Sequence, residues 1–97
     1  MDINEIRSKI DEIDEDILNA FIERMSLSEQ VAEYKVAHNL PLENIEREQA
    51  VLQRALANAG QYECLVHAFF CKLMQLSKER QLQLYPSLGN GKTGSAK

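Results

Sequence analysis

There is no tryptophan in this chain, and it has only two cysteines, two prolines, four glycines and no apolar run that approaches the length of a membrane span. With three Tyr and three Phe as its aromatics, packing falls mostly to Leu, Ile, Val, Ala and Met. Basic residues are outnumbered, 11 against 15, giving a net charge of -4 and a pI near 5.1. That balance argues against nucleic acid or an anionic membrane as principal partner, because both need a basic face. Cys64 and Cys71 stand two turns apart on what reads as one helix. About 10 Å of helical rise puts them beyond disulfide reach. They read as reduced core thiols. The first residues lack the basic, apolar and small-residue segments of a signal peptide, so the expected location is cytoplasmic.

What is present is helical periodicity. From about Ile3 to Ala37 there is neither Gly nor Pro, and acidic residues crowd the first half, as a helix N-terminus favours. Pro41 marks a break. A second pattern runs from about Asn44 to Ala59, with Ile45, Leu52, Ala55 and Ala59 on one stripe and Gly60 as its expected C′ residue. A third runs from about Tyr62 to Leu84, led inward by Val66, Phe70 and Leu73, and Pro86 ends it. The expected fold is all-α, with residues 1–85 as one helical domain and 86–97 as a disordered tail.

The first helix sets the expected assembly. Ile3, Ile6, Ile10, Ile13, Ile17 and Ala20 form an unbroken apolar seam that resumes at Leu27, Val31 and Tyr34. Roughly 35 residues make a rod of about 50 Å, against a radius of gyration of about 13 Å for a compact chain of this size. Two shorter helices cannot cover such a seam, so the expectation is an intertwined homodimeric helical bundle. A coiled coil through the first helix alone is the alternative.

Polar residues interrupt every apolar stripe. Arg24 occupies the seam position between Ala20 and Leu27. Lys35 lies eleven residues on, nearly three turns, so both cations share a side of the helix with Ser28 and Val31 between them. In the second helix Glu48 falls between Ile45 and Leu52, with Arg47 beside it and Asn44 one turn back; in the third, the inner stripe continues into Ser77 and Gln81. Each has an innocent reading. Arg24 could snorkel or set register, Lys35 suits a helix C-terminus, Asn44 is a natural N-cap, Arg47 and Glu48 belong to a charged run, and Ser77 and Gln81 could face water. Taken together they are harder to dismiss, since two or three cations buried with one carboxylate leave positive charge uncompensated. A small dianion would restore the balance. The residues alone therefore lead to a helical dimer with a cationic pocket for a small polyanion.

The segment IRSKIDEIDEDILNAFIERM, followed in order by Lys35, Pro41, NIERE, Ser77 and Gln81, resembles the all-helical chorismate mutases. The resemblance covers residues 3–84. It implies rearrangement of chorismate to prephenate, a unimolecular pericyclic reaction that asks for no cofactor and no metal, on the route to phenylalanine and tyrosine. It also implies roles. Arg24 and Arg7 would grip the substrate carboxylates; Arg7, seventeen residues and about a quarter-turn out of phase from Arg24, should not share that pocket within one chain, and the family pattern has it supplied by the other protomer. Lys35 and Gln81 would hydrogen-bond the ether oxygen. Glu48 and the neighbourhood of Asn44 would receive the ring hydroxyl, Arg47 would support the carboxylate side, and Ser77 would hold the ring carboxylate. Asn44 departs from the Asp common among bacterial relatives. Some relatives carry Glu in place of Gln81, which must be protonated to donate, whereas the amide needs no proton.

Isochorismate-pyruvate lyases resemble these mutases and use a closely similar cationic pocket, so they stay open as an alternative, as does a non-enzymatic helical interaction module. Two local matches are rejected. GNGKT ends like a phosphate-binding loop, but Pro86 holds the required earlier glycine position. DEIDED spreads its carboxylates round a helix rather than gathering them as metal ligands. His38 and His67 have no partners at ligand spacing and are assigned no role.

Overall fold

A computed structural model describes residues 1–89. Three α-helices, α1 (Ile3–Ala37), α2 (Ile45–Ala57) and α3 (Glu63–Leu84), are joined by a short connector and a 3-10 turn, Gly60–Tyr62, with a second 3-10 turn at Pro86–Gly89. The all-α reading is right, with no strand among the described residues. No helix among them is long and apolar enough to cross a membrane.

The caps explain the boundaries. Asp2 accepts from the Glu5 backbone N–H while Glu5 reaches back to the Asp2 N–H, a reciprocal capping box that starts α1. At the other end Asn39 adopts φ +58°, a left-handed conformation that Asn tolerates better than most side chains. The Leu40 N–H then donates to the Lys35 carbonyl at 2.8 Å and the Asn39 N–H to Val36 at 3.2 Å, the double closure of a Schellman motif. Asn44 caps α2 by accepting from the Arg47 N–H at 3.0 Å. Gly60 is displaced from its expected place: the C-cap of α2 is Asn58, and Gly60, two residues later, uses φ +58° to enter the turn before α3.

The core is small and lies at one end of a 61 Å long chain. On α1 it takes Phe21, Met25, Ser28, Ala32 and Lys35, a line beside the isoleucine seam rather than the seam itself. Leu27, Val31 and Tyr34, expected to continue the core, are exposed here, and every residue before Phe21 is exposed too. The reason is reach: α3 and the Pro86–Gly89 turn lie against α1 while α2 packs on α3, which leaves the first twenty residues uncovered by their own chain. On α2 the inward line is Glu48, Val51, Leu52, Ala55 and Ala59, so Ile45, exposed, is not part of it. On α3 the expected stripe Val66, Phe70, Leu73, Ser77, Gln81 faces inward throughout.

Two further expectations are corrected. Cys64 and Cys71 are free thiols, but both are exposed because the first half of α3 has no helix of its own chain against that side. Pro86–Gly89, expected to open the tail, forms a 3-10 turn that buries Leu88 at 3% exposure. The rest of the expected tail, including most of GNGKT, lies outside the described residues.

Candidate active site

The three helices and the connector before α2 line an open cavity of about 290 Å³. The sequence-derived candidates Arg24, Lys35, Asn44, Arg47, Glu48, Ser77 and Gln81 all line it, with Val31, Val51 and Met74 among the apolar walls. Burial and bonding separate Arg24, Ser77 and Gln81 from their innocent readings, whereas Asn44 is the N-cap of α2 and, like Arg47, is exposed. Ser28, Ser77 and Gln81 are buried at 8%, 7% and 5% exposure, so Ser77 and Gln81 do not face water. Arg24 does not snorkel outward: its Nη1 donates to Ser77 Oγ at 2.9 Å. That bond occupies a lone pair on Ser77 and leaves its O–H able to donate elsewhere.

Lys35 and Gln81 form the centre of the site. The Lys35 ammonium donates to the Leu42 carbonyl at 2.6 Å and to Gln81 Oε1 at 3.0 Å. Gln81 Nε2 donates to Ser28 Oγ at 2.9 Å. An ammonium only donates, so Lys35 fixes which end of the amide is oxygen and turns the NH₂ toward Ser28. Each group thereby keeps one N–H for a ligand. The Schellman turn matters here, because it carries the connector back over Lys35 and sets the Leu42 carbonyl against its ammonium.

The electrostatics match a site built for an anion. Burial, and then the positive charge of Arg47, lower the Arg24 pKa below the ordinary guanidinium value. Burial also lowers the Lys35 pKa, with Glu48 acting to raise it and Lys78 to lower it. Both shifts say that the cations sit without enough counter-charge. Among the described residues lining the cavity Glu48 is the one carboxylate, and its Oε2 is 3.0 Å from the Lys78 ammonium.

Lys78 is the residue that sequence reasoning missed. It lines the cavity and bridges to Glu43 at 3.4 Å as well. Lys78 stands next to Ser77 in sequence but about 100° round the helix from the inward stripe, and SKER reads as the start of a solvated run. Arg7 is the candidate that this chain does not bring in. It is exposed on the uncovered half of α1, seventeen residues from Arg24, about 25 Å by helical rise.

The family model described as chorismate mutase type II matches residues 6–82. A monofunctional chorismate mutase of Enterobacter agglomerans is 42% identical over 66 residues, covering 65% of this chain and 36% of the relative. A bifunctional chorismate mutase/prephenate dehydratase of Buchnera aphidicola is 33% identical over 89 residues, 92% of this chain and 23% of the relative. A chorismate mutase of Methanocaldococcus jannaschii is 48% identical over 50 residues, 52% of this chain and 50% of the relative. This chain thus spans half or less of the length of each of these relatives. No solved structure matches. The match runs from Ile6, the second isoleucine of the seam, past Gln81 and takes in every residue gathered round the cavity, and on that extent the chain belongs to the chorismate mutase type II family.

Proposed function

We propose that this chain is a chorismate mutase, converting chorismate to prephenate. The observation that carries the proposal is the convergence of Arg24, Lys35, Arg47, Ser77 and Gln81 on one cavity, in a family whose named members here are chorismate mutases. The rearrangement breaks an ether C–O bond while a C–C bond forms within the same molecule. It needs a compact conformer held in place and stabilisation of the charge growing on the ether oxygen. Arg24 and Arg47 suit the carboxylates, and the free hydroxyl proton of Ser77 suits the ring carboxylate. The remaining N–H groups of Lys35 and Gln81 suit the ether oxygen. Glu48, with the first turn of α2 behind Asn44, suits the ring hydroxyl.

In this reading a second copy of the chain completes the site. An apolar seam exposed over twenty residues is a large surface to leave in water. A partner laid along it would bring its own Arg7 toward Arg24. Refolding a mixture of Arg7→Ala and Arg24→Ala chains tests this, because each heterodimer would hold one site free of both changes. Activity should return to about a quarter of wild type, from two nearly inert parents. Mixtures no better than the parents would place Arg7 outside the site. The free thiols of Cys64 and Cys71 suit a reducing, cytoplasmic setting.

Loss of chorismate absorbance, with products separated by chromatography, tests the activity itself. Prephenate is the expected product. Pyruvate and salicylate from isochorismate, without turnover of chorismate, would mark the lyase reaction instead. Lys35 also predicts a pH signature. Burial lowers its pKa in the free protein, and a bound dianion raises it again by supplying the missing counter-charge. The alkaline fall of kcat/KM, which reports the free enzyme, should therefore come at lower pH than the fall of kcat, which reports the complex. Coincident limbs would remove Lys35 from contact with the substrate.

A further inference from the structure

We infer that Lys78 is a positioning residue whose task is to hold Glu48 away from the cavity's cations, so that they stay available to the substrate. The inference rests on the mutase reading above. Its starting point is a conflict within the site: Arg24, Lys35 and Arg47 stand in one cavity with a single carboxylate, Glu48. Left to itself, that carboxylate would pair with one of them. Lys35 is the nearest rival by its electrostatic coupling, since Glu48 is the group that most opposes the burial of its charge. A Glu48 folded onto Lys35 would occupy the donor meant for the ether oxygen and present negative charge to an incoming dianion.

Lys78 prevents this by geometry. It follows Ser77 on α3 and reaches α2, where its Nζ meets Glu48 Oε2 at 3.0 Å. The same ammonium reaches Glu43 Oε1 at 3.4 Å, in the connector whose Leu42 carbonyl holds Lys35. The Lys78 and Glu48 side chains are only 25% and 26% exposed, a partly sheltered pair rather than a solvated one. Burial works against the Lys78 charge, but the hydrogen bond and charge of Glu48, with those of Glu43, outweigh it and raise its pKa. The pairing leaves Glu48 Oε1 unoccupied by Lys78 and able to accept from a ring hydroxyl. Two of the cavity's lining charges thus cancel each other, and the three remaining cations face the dianion.

The test is the kinetics of Lys78→Met, Lys78→Arg, Glu48→Gln and the double variant Lys78→Met/Glu48→Gln, assayed with chorismate. Lys78→Met should raise KM by about five- to tenfold and change kcat by less than about twofold. Lys78→Arg, which keeps the charge, should recover KM to within about threefold of wild type. In the double variant the competing carboxylate is gone, so KM should be no higher than in Glu48→Gln alone. An ion pair that served only stability would instead lower the unfolding midpoint of Lys78→Met and leave KM alone, which overturns the inference. So does a rise in KM of equal size in both backgrounds. A wild type inert toward chorismate overturns the mutase reading and this inference with it, whereas an active wild type beside an unaltered Lys78→Met overturns the inference alone.

Discussion

Arg24→Ala should lower kcat/KM for chorismate by about 10²- to 10³-fold while leaving the thermal unfolding midpoint unchanged or slightly raised. The two effects come from one fact. Arg24 is only partly buried, but burial and the neighbouring Arg47 both disfavour its charge, and its recorded partner, Ser77, is neutral. In the empty protein the guanidinium is therefore a burden, and removing it relieves repulsion. In the proposed reaction a bound dianion would make it a charge-assisted anchor of the kind worth about 1.5 to 3 kcal/mol, or more where charge develops in a sheltered site. Steady-state kinetics beside a melting curve give both numbers. Loss of activity with loss of stability would show a structural arginine. Full activity would return the chain to a helical module in which Arg24 sets register.

Gln81→Glu should cost about as much at neutral pH, about 10²-fold or more in kcat, and should regain much of it toward about pH 5. In the proposed reaction Gln81 would act as a neutral donor, and its orientation is set by Lys35 on its oxygen and Ser28 on its nitrogen. A glutamate there would be ionised beside Lys35 at neutral pH. It could then only accept, and it would put negative charge where the ether oxygen is gaining it. Protonation restores one donor, so the variant should show an acid-side rise that the wild type lacks. A wild-type profile that itself climbs toward pH 5 would remove Gln81 from the ether oxygen.

The fold was legible where a local signal was strong and went unread where contact decided. The lack of Gly and Pro before Pro41 permits one long helix, and α1 runs Ile3–Ala37, close to the span its periodicity suggests, while the stripe from Val66 to Gln81 faces inward as its spacing requires. The isoleucine seam misleads about where this chain's own core lies, because hydrophobicity marks a face that wants covering without saying what covers it. Ser28 and Ala32, small and unremarkable in sequence, are buried because α3 approaches closely there. Leu88 was lost for a related reason: one leucine among Gly, Ser and Pro has no period, and only its contact with the turn's neighbours gives it a place in the core. In the site, polar residues on apolar stripes were readable from spacing. Lys78 was not, since its importance lies in a bond to Glu48, thirty residues away.

The capping box at Asp2 starts a helix whose first five turns have no buried residue. With no tertiary contact within the chain those turns rest on helix propensity alone, and a cap adds only about 1 kcal/mol. In a lone chain the backbone amides before Phe21 would exchange with solvent far faster than those of the half that α3 covers. In the proposed dimer, helix formation at that end would be tied to the partner chain laid along the isoleucines. The same event that orders those turns would deliver Arg7 to a neighbour's cavity, so that the last step of folding and the assembly of catalytic groups become one transition, dependent on protein concentration.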